Sequence, residues 1–208
     1  MDLDPIYLVA GFAVVLIASS IVGNVFGRKK VDASVIRVTE AVRKLGGELK
    51  LVGRSSSAAL LKGSGLKPLK EFSILIGLVP MGSPISLLVA KLAGRKDLVM
   101  LRGALNSEPS RNVAVFMKGA GGEKYVKRWG SAVKEIGGVL VAYDGDEPPL
   151  DSTKLEPLRS TGAIMLAVRD QLPHVYAYIL LDSDISSSLS ATLLGLEELQ
   201  RVARPSKR

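Results

Sequence analysis

Apolar and polar positions divide this 208-residue chain sharply near its start. No charged residue occurs between Asp4 and Arg28; Pro5 to Gly27 reads PIYLVAGFAVVLIASSIVGNVFG, and Arg28-Lys29-Lys30 follows at once. At about 1.5 Å rise per residue such a helix covers roughly 34 Å, enough for a hydrocarbon core of about 30 Å. A helix also satisfies its own backbone polar groups in lipid. The pattern predicts a transmembrane helix over 5–27, with 1–4 as a short extracytoplasmic end. A cleaved secretory signal fits less well, because MDLD is acidic where a basic start is wanted and the apolar run is too long. A buried core helix would normally be shorter.

Beyond the span the pattern becomes amphipathic. Val31, Val35, Val38, Val42 and Leu45 recur at helical spacing and predict a helix over 31–46, within a basic linker at 28–47 that Gly46-Gly47 ends. The same face runs back through Gly27, Gly23 and Ser19, a small-xxx-small spacing that permits close helix approach. Two expectations follow: a parallel homodimer through Ser19, Gly23 and Gly27, or a helix packed on its own domain.

From Glu48 short apolar runs bounded by turn residues predict strands at 48–53, 56–62, 69–79, 97–105, 112–118, 138–143, 162–168 and 174–182. Helices are expected at 122–136 and at 185–203, the latter capped by Asp184 or Ser186. The stretch 144–160 reads as a loop and 204–208 as a frayed tail. Strands outnumber helices and mostly follow one another directly. The expected fold class is therefore α+β: one N-terminal transmembrane helix, then a mostly antiparallel sheet with two to four helices in a domain over 48–203.

Ile74 to Gly94 is apolar except for Lys91, yet Pro80, Gly82, Ser83 and Pro84 interrupt it centrally. Strand, turn and a short helix from Pro84 is the expected arrangement, with proline in the first turn. Its Ile85, Leu88, Val89 and Leu92 face, beside Lys91, Arg95 and Lys96, suits either a membrane interface or the protein core.

Charge sharpens the picture. The net charge is +8, but residues 28–128 hold 20 Lys+Arg against 7 Asp+Glu, whereas 129–208 hold 8 against 11. An anionic partner is expected for the first part, and anionic headgroups at Lys91, Arg95 and Lys96 are the nearest candidate if a span holds the domain beside lipid. A solvated, salt-bridged surface accounts for the same charge without a partner. Asp2 and Asp4 precede the span and Arg28, Lys29 and Lys30 follow it. Positive charge stays inside, so the expected location is the cell membrane, single-pass, with the N-terminus outside and residues 28–208 in the cytoplasm. The chain has no cysteine, which excludes disulfides, thiolate metal sites and thiol nucleophiles. Asn occurs only at 24, 106 and 112 and Gln only at 171 and 200, a scarcity of thermolabile side chains that points towards a thermophilic source.

Three constellations could carry chemistry. Gly119, Gly121, Gly122 and Lys124 join an expected strand to an expected helix, where free backbone N–H groups attract anions such as phosphate. Asp144 follows the next strand, as the ribose acid does in a dinucleotide-binding unit, but Lys124 stands where that fingerprint needs its third glycine. Asp144, Asp146 and Glu147 offer oxygen ligands for a divalent cation, although Pro148-Pro149 interrupt a calcium-loop pattern. His174, the lone histidine, has no serine in a nucleophile-elbow pattern to pair with. No catalytic residue and no cofactor are expected. Few aromatics and no RNA-recognition or zinc signature argue against nucleic acid.

Glu71-Phe72-Ser73 opening a strand, Pro80 after it, Gly94-Arg95-Lys96-Asp97 before the next strand and Leu101-Arg102 within it join the charge-poor first helix and basic linker in one layout. That layout resembles a group of uncharacterised archaeal single-span membrane proteins. The resemblance implies an archaeal origin and a membrane-bound α+β domain, and it transfers no activity. Two functional expectations remain: a non-enzymatic membrane-anchored domain binding a protein partner or the anionic inner leaflet, or a membrane-tethered enzyme or sensor holding a phosphate-bearing ligand at the Gly119–Lys124 turn.

Overall fold

The computed structural model describes residues 5–119, 123–145, 150, 163–181 and 184–203. Its first element, α1 (Pro5–Lys44), is one unbroken helix of 40 residues, so the apolar segment and the amphipathic stretch form a single rod about 60 Å long. The rod ends as the two glycines require. Gly46 adopts a positive φ of 84°, its N–H donates to the Arg43 carbonyl at 3.0 Å, and the Gly47 N–H donates to the Val42 carbonyl at 3.0 Å. These two bonds satisfy carbonyls that the helix end leaves open, and they turn the chain into the first strand.

Among the described residues nine strands follow: β1 (Glu48–Arg54), β2 (Ala58–Ser64), β3 (Leu69–Gly77), β4 (Leu98–Leu105), β5 (Val113–Met117), β6 (Ala132–Ile136), β7 (Val139–Tyr143), β8 (Ala163–Val168) and β9 (Val175–Leu180). They form one sheet in the order β1-β2-β3-β4-β9-β8-β5-β7-β6, with every neighbouring pair antiparallel. Among the described residues two further α-helices complete the α+β fold, α2 (Pro84–Leu92) between β3 and β4 and α3 (Ile185–Ala203) after β9. Asp184 caps α3, accepting the Ser186 N–H on Oδ1 at 3.0 Å and the Ser187 hydroxyl on Oδ2 at 2.8 Å; Ser186 lies inside the helix.

One face of the sheet carries the main core. Val31, Val38 and Val42 of α1 and Leu189, Leu196 and Leu199 of α3 pack against Leu61, Ile74, Val99, Leu101, Leu166 and Ile179. Alternation along the strands sends the other residues to the opposite face. There Phe116, Met165 and Val126 form a smaller cluster, with Trp129 edge-on to both Phe116 and Tyr176.

The helix expected at 122–136 is not formed. A 3-10 helix occupies Glu123–Arg128 and β6 occupies Ala132–Ile136. Val126, Trp129, Val133 and Ile136 mimic a helical period, but Gly137 and Gly138 have φ of 54° and 83°, the two-residue turn that closes a β6–β7 hairpin. Gly130 enforces the alternative: a Cβ there would lie 2.4 Å from the Tyr143 backbone nitrogen, so only glycine lets the chain come this close.

Candidate functional site

The most distinctive assembly of charged and apolar groups lies where α1 leaves its apolar segment. Among the described residues α1 is the one helix long and apolar enough to cross a membrane, and none of its most apolar window is buried by the rest of the chain. Two connections of the sheet reach back to it. The β1–β2 turn presses the Ser56 carbonyl against Gly27, where a Cβ would lie 2.3 Å away. The β3–β4 connection presses the Met81 carbonyl against Gly23, where the corresponding distance is 1.9 Å, and brings Gly82 against the Asn24 side chain. The close approach that the small-residue spacing anticipates is therefore made within the chain at Gly23 and Gly27, while the Ser19 hydroxyl donates to the Leu16 carbonyl of its own helix.

Charge pairing locks this corner. Lys30 Nζ lies 2.6 Å from Asp97 Oδ2, Asp97 Oδ1 accepts the Val79 N–H at 2.7 Å, and the Asp97 carbonyl accepts the Leu181 N–H at 3.0 Å. One aspartate thus ties α1, both ends of the β3–β4 connection and the end of β9 together. Arg54 pairs with Asp32, two residues further along α1. Arg28, Lys29, Lys91, Arg95 and Lys96 are exposed.

Between those ties α2 forms as the sequence suggests. Ser83 caps it by accepting the Ser86 N–H, and Pro84 fills the first turn. Ala90 is buried on its inner face. Ile85, Leu88, Val89 and Leu92 are 59%, 60%, 55% and 80% exposed, so they face outwards and are not core residues.

The other candidates are separated. Gly119 follows the end of β5 and has a φ of 79°, Gly121 and Gly122 lie outside the described residues, and Lys124 belongs to a six-residue 3-10 helix and not to the start of a long α-helix. Asp144 lies at the other end of the same strand: β5 and β7 run antiparallel with Val113 opposite Tyr143 and Met117 opposite Val139. A parallel β-α-β unit would bring the turn after one strand and the acid after the next to the same edge. Here they are about 20 Å apart along β5. Asp146 and Glu147 lie outside the described residues, and among the described ones no group of three or more His, Asp or Glu could hold a metal.

Asp144 has a structural task. Its Oδ2 accepts the Asn112 amide at 2.7 Å and its Oδ1 accepts the Ser131 N–H at 2.9 Å. Burial pushes its carboxyl up, but the Ser131 backbone N–H, the Asn112 amide and the Ser131 hydroxyl together outweigh this and hold it below the ordinary carboxylate range. A depressed folded pKa contributes stability above the unfolded pKa of about 3.9, which is lost as pH falls through the folded value. Asp144→Ala is expected to destabilise the domain by about 1–2 kcal/mol at pH 7, and the deficit should shrink below about pH 4. Urea unfolding followed by the single tryptophan, Trp129, measures this. A deficit independent of pH would contradict the assignment.

His174 is buried and accepts the Leu105 N–H on Nδ1 at 3.2 Å, while its carbonyl accepts the Arg169 N–H at 2.7 Å. It joins β4 and β9 at their shared end. What sequence reasoning missed is Asp97, whose tie to Lys30 spans 67 positions and leaves no local pattern. The chain matches no protein-family model and no curated protein.

Proposed function

We propose that this chain is a single-pass membrane protein whose non-enzymatic domain is held against an anionic leaflet. The observation that carries the reading is the corner itself: exposed Arg28, Lys29, Lys91, Arg95 and Lys96 gather beside an apolar helix segment that the domain leaves uncovered. Apolar helix followed immediately by basic side chains is the order that a span and its cytoplasmic flank require. Each basic group near an anionic surface contributes about 1 kcal/mol. The separation of the Gly119 turn from Asp144 supports a binding role over an active site, because these groups lie at opposite ends of β5. In this reading residues 5–27 cross the cell membrane, the N-terminus is outside, and the domain works in the cytoplasm on the leaflet or on a protein partner at its surface.

The absence of cysteine makes the topology testable with single labels. In intact cells a membrane-impermeant thiol reagent is expected to label an Asp2→Cys variant. A Lys62→Cys variant, whose position is exposed on β2, should react only after permeabilisation. Labelling of the Lys62 variant in intact cells would reverse the orientation. Release of the full chain from membranes by alkaline carbonate would sink the anchor.

A further inference from the structure

We infer that the β3–β4 connection is a second lipid contact, with α2 lying in the interfacial layer and Ile85, Leu88, Val89 and Leu92 directed into the acyl chains. The inference rests on the membrane-anchored reading above and adds an element to it. Depth is the decisive point. Met81 and Gly82 pack on Gly23 and Asn24, which lie within the apolar segment. Gly23 precedes Arg28 by five residues, which places that contact about 7 Å further into the lipid than Arg28. Interfacial helices bury their apolar faces about 5–10 Å into the headgroup and acyl boundary. Both ends of the connection return to the level of Lys30, because Asp97 binds Lys30 and the Val79 N–H. The segment between them is thus an excursion towards the bilayer, with its start fixed against the span.

The chemistry of the excursion suits lipid. The four apolar side chains stand at i, i+3, i+4 and i+7 and are all more than half exposed, while Ala90 on the inner face is buried. Polar backbone at that depth needs internal partners. Ser83 accepts the Ser86 N–H at the start of α2; at its end the Ala93, Gly94 and Arg95 N–H groups donate to Val89, Lys91 and Ala90. Lys91, Arg95 and Lys96 are exposed around the same helix, and long basic side chains of this kind extend to phosphates while their stems stay in apolar surroundings. A protein partner would also cover an apolar face, but it would not require the face to begin at the level of the span.

The test uses the full chain in phosphatidylglycerol–phosphatidylcholine vesicles containing lipids with a nitroxide on the acyl chain. A fluorophore is attached to single-cysteine variants Leu88→Cys and Leu92→Cys, with Val15→Cys in the apolar segment and Ile36→Cys on the exposed side of α1 as references. Quenching at positions 88 and 92 is expected to exceed that at position 36 several-fold, and position 15 should be quenched by the deepest nitroxides. Quenching at 88 and 92 no greater than at 36, with 15 quenched, overturns the lipid contact and leaves the anchor standing. An unquenched position 15 overturns the anchor itself. Self-quenching between labels at 88 that nitroxide lipids do not affect would show a second copy on this face and overturn the inference.

Discussion

Alanine at Gly23 or Gly27 is expected to lower the thermal midpoint of the detergent-solubilised protein by about 4–8 °C, while alanine at Gly11 leaves it unchanged. All three glycines lie in α1, so intrinsic helix propensity alone would favour each replacement by about 1 kcal/mol in water. Packing reverses the sign at two of them. A Cβ at Gly23 would lie 1.9 Å from the Met81 carbonyl oxygen, and one at Gly27 would lie 2.3 Å from the Ser56 carbonyl oxygen, whereas nothing stands within 4 Å of Gly11. Overpacking usually costs about 1–3 kcal/mol, and a carbonyl held in a turn yields less readily than the end of a side chain. An overpacking cost of about 3 kcal/mol less the propensity gain of about 1 leaves a net loss of about 2 kcal/mol, which corresponds to the stated shift for a domain of this size. Because the displaced elements carry Lys91 and Arg95, trypsin should also cut faster after those residues in the Gly23 variant. Equal midpoints across the three variants would mean that the connections do not dock on the helix.

Changing Lys91, Arg95 and Lys96 together to glutamine is expected to weaken binding to anionic vesicles by about two orders of magnitude. The suitable form is a chain beginning at Ile21, which keeps Gly23, Asn24 and Gly27 in contact with the domain but lacks most of the apolar segment. Three basic groups at about 1 kcal/mol each give about 3 kcal/mol, a little over a hundredfold in affinity. The loss should appear only with anionic lipid. It should vanish in 1 M salt, where the Debye length falls to about 3 Å. Sedimentation with anionic and neutral vesicles separates the cases. An unchanged affinity for anionic vesicles would make this charge an ordinary solvated surface and shift the weight of binding to the apolar face of α2.

Much of the layout is legible from local pattern because local physics sets it. The apolar run at 5–27, the glycine pair at 46–47 and the alternation of most strands each reflect a requirement met within a few residues. The starts of α3 at Asp184 and of α2 at Pro84 are equally local, each fixed by a cap or a helix breaker. Residues 122–136 are ambiguous by pattern because their apolar spacing satisfies a helix as well as an edge strand. The deciding contact, the Tyr143 backbone against Gly130, comes from a neighbouring strand. The glycine turn at 137–138 was the one local signal of that hairpin.

The sequence by itself determined the α+β class, the helix able to cross a membrane, and the basic bias of the first part of the chain. Composition and short-range periodicity suffice for each of these. Only the tertiary structure decided which face each ambiguous element presents. Ile85, Leu88, Val89 and Leu92 have a periodicity that fits core or lipid equally, and the packing of α2 turns Ala90 inwards and leaves those four exposed. Gly23 and Gly27 have a spacing that suits a second helix or the chain's own turns, and in the fold Met81 and Ser56 of those turns lie against them. Gly119 and Asp144 fall close together in sequence logic, yet antiparallel pairing of β5 and β7 sends them to opposite ends of one strand. The physical reason is common to all three: a residue's pattern fixes what it can bury against, while the pairing of distant strands fixes what is there to meet it.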